Sequence, residues 1–347
     1  MKITILTYLE KETDEKYDAV VDQVADALRP AGHNVSVLGV HGDVKKLIVG
    51  LARRKPDLVF NLMEMFGDNL QGDVAVAGML DLIGVPHTGG GAGEYYLQQD
   101  KALSKKLLAY EGILYPKYAV FGNNADLETG GNLHMPLFVK PLRGEASMGI
   151  EVKSLVKDSR ELMKRVTMIH EQFNDAALAE EYVEGREFYV GILGNANPQA
   201  FPAIEMDFSG LPEGEPHFLD RKAKFSERSK RYKGTKAILA QIPEELQARL
   251  QKVSVEAYRA VRARDYGRVD LRLTPVGEIY VIEVNASCYL ENESEFAVAG
   301  KAAGIEYPDL VGRIVQLAME RHAQGGQGNK APTGGSSRDG RGSSPAP

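Results

Sequence analysis

Strand and helix alternate without a break over the first hundred residues, and this limits the fold to a parallel sheet covered by helices. "KITILTY" is a strand, and "KYDAVVDQVADALRPAG" places Ala19, Val20, Val21, Val24, Ala25 and Leu28 at helical spacing. "NVSVLGV", "VKKLIVGLARR", "DLVFNLM" and "DVAVAGMLDLIG" continue the pattern. A βαβα order of this kind closes both faces of a parallel sheet. No GxGxxG follows the first strand, so a dinucleotide site has no support. "HTGGGAG", 87–93, leads into an expected helix "YYLQQDKALSKKLLAYEG" and reads as a flexible turn or a substrate-facing loop.

From about Pro116 the pattern changes to strands with turns: "YPKYAVF", "MPLFVKP" and "MGIEVKS", then a helix from about Ser159 to Phe173. "ALAEEYVEGREFYVGILG" reads as strand, turn, strand. "QAFPAIEMDF", a basic stretch from Asp220 to Gly234, the helix "PEELQARLQKVSVEAYRAVRA" and a hairpin follow. The helix "PDLVGRIVQLAMERH" ends the expected fold, and the Gly-, Ser- and Pro-rich remainder has little to bury and is expected to be disordered.

At 347 residues, 43% hydrophobic and 26% charged, the chain has material for two or three domains. A net charge of −6 argues against a general nucleic-acid or anionic-membrane surface. The apolar run at the N-terminus is too short for a signal peptide or a span, and the single cysteine, Cys288, fits a reducing compartment; a cytoplasmic location is expected. Seven scattered histidines without an HxxxH pair make a zinc site improbable.

The hairpin "RVDLRLTPVGEIYVIEVNAS", 268–287, carries the sharpest chemical question. With Pro275 to Glu278 as the loop, Thr274 pairs with Ile279, Asp270 with Glu283 and Arg268 with Asn285. Arg268, Asp270, Arg272, Glu283 and Asn285 then share one face, and Val269, Leu271, Leu273, Tyr280, Ile282 and Val284 the core face. Opposed carboxylates destabilise a ladder unless a positive charge compensates. Either the two arginines do so, or a divalent metal on hard oxygen ligands does.

"FVKPLRGEASMGIEV", 138–152, offers Lys140 and a loop of small residues, Gly144, Ala146, Ser147 and Gly149, whose N–H groups can approach an anion. A plain hairpin turn is the alternative. Lys101 sits in a helix, where a solvated charge is the ordinary reading. Lys224 lies among seven Lys or Arg from Arg221 to Lys233, a wet loop or a mobile cover for a polyphosphate. Glu187 starts a strand and either accepts from ribose hydroxyls or pairs with Arg186 or another base.

In order and spacing these pieces resemble the ATP-grasp superfamily and, within it, the D-alanine–D-alanine ligases, from Met1 to about His322. "GRVDLRL…GEIYVIEVNAS" is similar to the family's metal hairpin, "FVKPLRGEASMGIEV" to its phosphate loop, "QQDKALSKKLL" to its first ATP-lysine helix and "AEEYVEGREF" to its adenine hinge. The resemblance implies a three-domain α/β fold (α+β in the ATP-grasp part) with a Rossmann-like parallel-sheet domain at 1–100. A central subdomain at 101–187, a C-terminal one at 188–321 and a disordered tail at 322–347 would follow. It implies ATP and two Mg²⁺ ions, with Mn²⁺ as the alternative, on Asp270, Glu283 and Asn285. Lys101, Lys140, Ser147 and Lys224 would face the phosphates. Glu180, with the backbone at Glu181 and Val183, would recognise adenine, and Glu187 the ribose. Arg268 would stabilise an oxyanion. The implied reaction joins a carboxylate to an amine through an acyl phosphate, and a homodimer is implied by analogy.

The substrate end departs from the family. Ala146 and Phe225 stand where it has a serine and a tyrosine; Glu10 or Glu12 is the candidate for its N-terminal glutamate, although "LTYLEKETDEKY" lacks the family's Gly-rich start. Tyr289 replaces a glycine, and Glu295 replaces an apolar residue beside Ser294. Glu291, Glu293 and Glu295 alternate either as a polar loop or as selectors of a cationic acceptor. The alternatives to a D-alanine-type ligase are a ligase for other amino acids or a natural-product precursor, and a non-catalytic ATP-binding regulator.

Overall fold

The structure is a computed structural model that describes residues 1–328 other than 15, 70, 124–126, 130–131 and 145–146. Its first unit is a parallel sheet in the order Asn34–Val40, Lys2–Tyr8, Leu58–Leu62. Side chains alternate across it: Ile3, Ile5, Leu58 and Phe60 join one core, while Leu6, Leu38, Val40 and Val59 join another. Helices Val44–Arg54 and Gly72–Leu82 cover the second face, and Ala19–Leu28 and Tyr307–Gly328 the first. Asp18 and Asp43 start their helices by accepting from the N–H groups of Val20 and Lys46.

The last helix continues to Gly328, so 323–328 correct the expected end at His322; residues 329–347 of the expected tail lie outside the described residues. No described helix is long and apolar enough to cross a membrane.

Two antiparallel sheets follow. One runs Leu127–Thr129, Tyr118–Phe121, Ala177–Glu181, Leu137–Pro141, Leu155–Val156, backed by helix Ser159–Phe173. The other runs Lys236–Leu239, Ile204–Asp207, Arg186–Leu193, Tyr266–Leu273, Ile279–Asn285, with Gln199–Ala200 beside the third. Helix Glu244–Ala260 packs Leu250, Ala257 and Tyr258 onto Val190, Val269, Leu271 and Val281 of that sheet. Arg268, Asp270, Arg272, Glu187 and Tyr189 alternate with those residues and so occupy the opposite face.

The segment "EYVEGRE" carries the chain from one antiparallel sheet into the other. Gly185 has φ +149°, and a Cβ there would run into the Leu273 carbonyl, so only glycine lets the crossing pass so close to the hairpin.

Three expectations are corrected. The helix across 95–112 is two helices, Ala92–Gln99 and Lys101–Tyr110. Asp100 has φ −85° and ψ 88°, and its carboxylate caps the second by accepting from Leu103 N. "MGIEVKS" is not a strand but a turn and a short 3-10 helix, Val152–Ser154, before Leu155–Val156. The basic stretch forms two short helices, Arg221–Phe225 and Lys230–Gly234, anchored by buried Arg231, which pairs with Glu215 at 2.6 Å and Asp220 at 3.2 Å.

The glycine loop 87–91 is buried and hydrogen-bonded, and it does not line the main cleft. Thr88 accepts from Asn61 N at 3.0 Å, and Gly89 N donates to Asp265 at 3.0 Å. Asp265 is 0% exposed and also receives Asn195 and both ends of the Arg321 guanidinium.

Asp73, on helix Gly72–Leu82, is buried with one carboxylate oxygen unpaired, and burial pushes its carboxyl up to about 6 despite hydrogen bonds from Val74 N and Gln99. The folded state therefore holds this proton more tightly than the unfolded chain. Stability falls as pH rises from the ordinary aspartate value near 4 to about 6 and is flat beyond. Asp73→Asn is expected to remove that fall, leaving the variant on the order of 2 kcal/mol more stable relative to wild type at pH 7 than at pH 4. Urea unfolding at both pH values measures it; parallel curves would exclude Asp73 as the source.

Candidate functional site

The hairpin keeps its expected pairing at the site end: Arg268 faces Asn285 and Asp270 faces Glu283. Past Asp270 the ladder slips, so that Leu271 faces Val281, Arg272 faces Tyr280 and Leu273 faces Ile279. Ile282 is the extra residue of a β-bulge. Tyr280 and Ile282 therefore leave the core face, which Ile279 and Val281 take at 6% and 0% exposure, and the turn closes as Thr274 N donates to Glu278 O. The cause is legible in hindsight. Val281 and Val284 are both buried, three residues apart, and a regular strand cannot point both to one face.

The bulge turns Ile282 and Glu283 together toward a cleft between the two antiparallel sheets, which both residues line. Asp270 and Arg272 line it from the opposing strand, Lys140 from strand Leu137–Pro141 and Ser147 from the loop that follows that strand. Glu180 lines it from the end of strand Ala177–Glu181, Glu181 and Val183 from the start of the crossing segment, Glu187 from the strand beyond, and Lys224 from the basic helices. Lys101 reaches Glu283, its Nζ 3.5 Å from Oε1, while donating to Gly144 O at 2.6 Å. Ser147 holds φ +58°, within a loop of which Ala146 lies outside the described residues.

Charge is tightly arranged. The Glu180 carboxylate, 3% exposed, lies 2.7 Å from Lys105 Nζ and 2.9 Å from Lys140 Nζ. Burial alone would raise its pKa, but the two ammonium groups hold it at about 2. Burial works against the Lys140 charge, yet Glu180, Glu283 and Asp270 outweigh it and raise the ammonium's pKa.

Across the cleft, burial lifts the Asp270 carboxyl above its usual range, and Arg268 only partly offsets this. Glu283 is lowered instead: burial is overcome by Lys101, Lys140, Lys224 and Arg268. Of the two arginines offered as compensation, Arg268 meets the acid pair, whereas Arg272 turns to Glu187. Arg268 grips Asp270 at 2.8 and 3.0 Å, reaches Glu295 at 3.4 Å and lies 4.5 Å over the Tyr189 ring.

Glu187 pairs with Arg272 at 2.5 Å and accepts from the Tyr189 hydroxyl at 2.7 Å, whereas Arg186 goes to Glu205. Glu181 accepts from His134 N at 2.9 Å. Asn285 Nδ2 donates to Arg268 O at 3.4 Å.

At the substrate end, Tyr289 donates to Asp18 at 2.7 Å, joining the hairpin to the first sheet's leading helix. Ser294 caps a helix that the sequence reading missed, Glu295–Ala302, accepting from Ala297 N. A cap residue followed by an acid in the first turn was the available signal. The polar-loop reading of 291–295 thus ends at Ser294; Glu293 faces solvent while Glu295 turns to Arg268. Glu12 is held by Lys46 on the outside of the first unit. Burial pushes the Cys288 thiol up to about 12, so it is not a thiolate at neutral pH.

Lys105 carried no site role from sequence, and Arg272 only that of balancing the acid pair, whereas it holds Glu187. Lys105 lies one helical turn from Lys101, and that spacing was the available sign.

Comparisons with known proteins agree with this architecture. Residues 107–316 match the family model described as D-ala D-ala ligase C-terminus. A D-alanine–D-alanine ligase of Desulforudis audaxviator is 30% identical over 303 residues, covering 86% of this chain and 92% of that protein. An uncharacterized protein of Sinorhizobium fredii, y4sG, is 33% identical over 314 residues, covering 87% and 88%. In fold, the chain superposes on a Bacillus anthracis D-alanine–D-alanine ligase solved with ATP at a TM-score of 0.73, 23% identity and coverage of 94% and 99%. It also superposes on the VanG D-Ala:D-Ser ligase of Enterococcus faecalis, at 0.68, 22% identity and coverage of 91% and 99%. By matched family model and by full-length relatives, the chain belongs to the D-alanine–D-alanine ligase family and is an ATP-dependent carbon–nitrogen ligase of the ATP-grasp fold.

Proposed function

We propose that the cleft between the two antiparallel sheets holds ATP, and that the enzyme joins an amino-acid-like carboxylate to an amine other than plain D-alanine. One observation carries the reading. Two opposed, half-buried carboxylates, Asp270 and Glu283, line a cleft whose other walls present Lys140, Lys224 and Glu187. In this reading Lys101, Lys140, Ser147 and Lys224 hold the phosphates. Glu180 and the backbone of Glu181 and Val183 hold adenine, and Glu187 the ribose. The domains run 1–100, 101–187 and 188–321, and a cytoplasmic homodimer is part of the same proposal.

The donor chemistry fits magnesium. No group of three or more His, Cys, Asp or Glu is assembled among the described residues, but two carboxylates with the Asn285 amide form a hard-oxygen set. Asp270, Glu283 and Asn285 would hold the ions, with Mn²⁺ as the substitute. Magnesium bound there would supply positive charge against the phosphates during phosphoryl transfer.

The chain's own residues do the rest. A carboxylate has no leaving group, so the γ-phosphoryl of ATP is moved onto it, giving an acyl phosphate that an amine can attack. The lysines are already placed beside the phosphates and need no reorganisation as negative charge shifts toward the leaving oxygen. Arg268 then faces the tetrahedral oxyanion with the N–H groups not turned to Asp270 and Glu295. Phosphate departs and an amide remains, without a side-chain nucleophile.

Glu295 is the basis for the acceptor. A carboxylate beside Arg268 repels the α-carboxylate of an incoming amino acid and attracts a second cationic group. Amines with an additional positive charge are therefore expected to outrun D-alanine in ADP release. Glu295→Leu should shift preference toward carboxylate-bearing amines by roughly fivefold, the equivalent of about 1 kcal/mol for a partly exposed pair. Rates across a panel of diamines and D-amino acids test this; a wild-type preference for plain D-alanine removes it. ADP release that ignores both an added carboxylate and an added amine would favour the regulatory alternative.

A further inference from the structure

Lys105 sits one turn after Lys101 on helix Lys101–Tyr110, on the same side of the helix. It is 1% exposed and stands behind the cleft wall, so it meets no ligand there directly. Its Nζ lies 2.7 Å from Glu180 Oε1 and donates to the Ile282 carbonyl at 3.3 Å. The second Glu180 oxygen lies 2.9 Å from Lys140. One ammonium therefore joins its own helix, the strand that ends in the crossing segment, and the bulge residue that precedes Glu283.

Charge balance does not account for it. Lys140 alone would neutralise Glu180, and a third buried charge adds a desolvation cost that a leucine would avoid. What a simple Glu180–Lys140 pair lacks is the division of the carboxylate between two cations and the bond to the bulge.

We infer that Lys105 is a positioning residue for the nucleotide site. By filling one oxygen of Glu180 it keeps Lys140 from being drawn wholly onto that carboxylate, and by holding the Ile282 carbonyl it fixes the bulge that aims Glu283 into the cleft. The inference rests on reading the cleft as the ATP site.

The test is calorimetric titration of the β,γ-imido analogue of ATP with magnesium into wild type, Lys105→Met and Lys105→Arg, beside steady-state kinetics. Lys105→Met keeps the apolar stem and removes the charge. It is expected to bind the analogue about tenfold more weakly, the scale on which supporting partners of a ligand site act. The KM for ATP should rise by a similar factor while that for the amine stays within about twofold. Lys105→Arg, which keeps the cation, should regain part of the loss. A merely structural role would lower the melting temperature and leave analogue affinity and the KM split of the folded enzyme at wild-type values, and that result overturns the inference. If Lys105→Met does not fold, Lys105→Gln carries the same comparison: weaker binding supports, equal binding overturns. Wild-type protein that binds no analogue overturns the ATP-site reading and the inference with it. Binding that Lys105→Met leaves unchanged overturns the inference alone.

Discussion

Glu283→Gln and Asp270→Asn are each expected to lower ATP-dependent ADP release by about a thousandfold or more, with the fold retained. Both substitutions keep the shape of the side chain and remove its charge, so the loss reports on electrostatics rather than packing. A factor of a thousand corresponds to about 4 kcal/mol of transition-state stabilisation. That is large for one hydrogen bond and reasonable for an anionic ligand of a dication in a water-poor cleft. Glu283 should also matter to its neighbours, because Lys101 lies 3.5 Å from it and Lys140 draws on its field to stay charged. ADP release by a coupled assay, with circular dichroism as the control for folding, measures the effect. If Glu283→Gln turns over ATP within tenfold of wild type, the two facing acids are a structural charge pair and the metal assignment fails.

The second large effect is on stability, far from the chemistry. Asp265→Ala is expected to destabilise the protein by about 3–5 kcal/mol, the usual cost of stripping one partner from a buried ion pair. The aspartate is fully enclosed and has several clients: Gly89 N at 3.0 Å, Asn195 Nδ2 at 3.2 Å, and Arg321 at 3.1 and 2.9 Å. Those partners come from the glycine loop of the first unit, from the end of strand Arg186–Leu193 and from the last helix. Removal leaves Arg321 facing the cavity with its charge uncompensated. Arg321→Met should cost less than Asp265→Ala, because Arg321 is partly solvated and Asp265 keeps its donors from Gly89 and Asn195. Denaturant unfolding of both variants and the double variant would show it. Equal, additive losses would mean that the two residues act independently.

Much of this architecture is written in local pattern. The parallel sheet follows from alternating strand and helix signals; its first two strands match "KITILTY" and "NVSVLGV", and the third, Leu58–Leu62, loses one residue at each end of "DLVFNLM". The facing of Asp270 and Glu283 agrees with the count from the turn because two departures cancel: the turn closes one residue tighter, with Thr274 against Glu278, and the inserted Ile282 restores the register. What failed was the half nearer the turn, where two buried valines at odd spacing demanded an inserted residue. Asp100 broke an expected helix because its side chain, capping the next one, outweighed a continuous helical pattern. "MGIEVKS" looked like a strand by its apolar residues, yet only Leu155 and Val156 find a partner strand. The glycines at 89–91 suggested looseness, while their neighbours Tyr95, Arg264 and Asp265, distant or easily overlooked in sequence, pack them tightly. Lys105 was passed over for a similar reason. A lysine on an amphipathic helix is usually solvated, and only the tertiary placement of Glu180 and Ile282 shows otherwise.

The single inserted residue at Ile282 divides the hairpin into two halves of opposite parity. Inward and outward positions on the turn side are counted separately from those on the chemical side, so the tip from Thr274 to Glu278 can change its composition freely without reorienting the acid pair. Removing one residue at position 282 would be far less forgiving: it would restore an unbroken count and rotate either Glu283 toward the apolar layer or Val281 and Ile279 out of it.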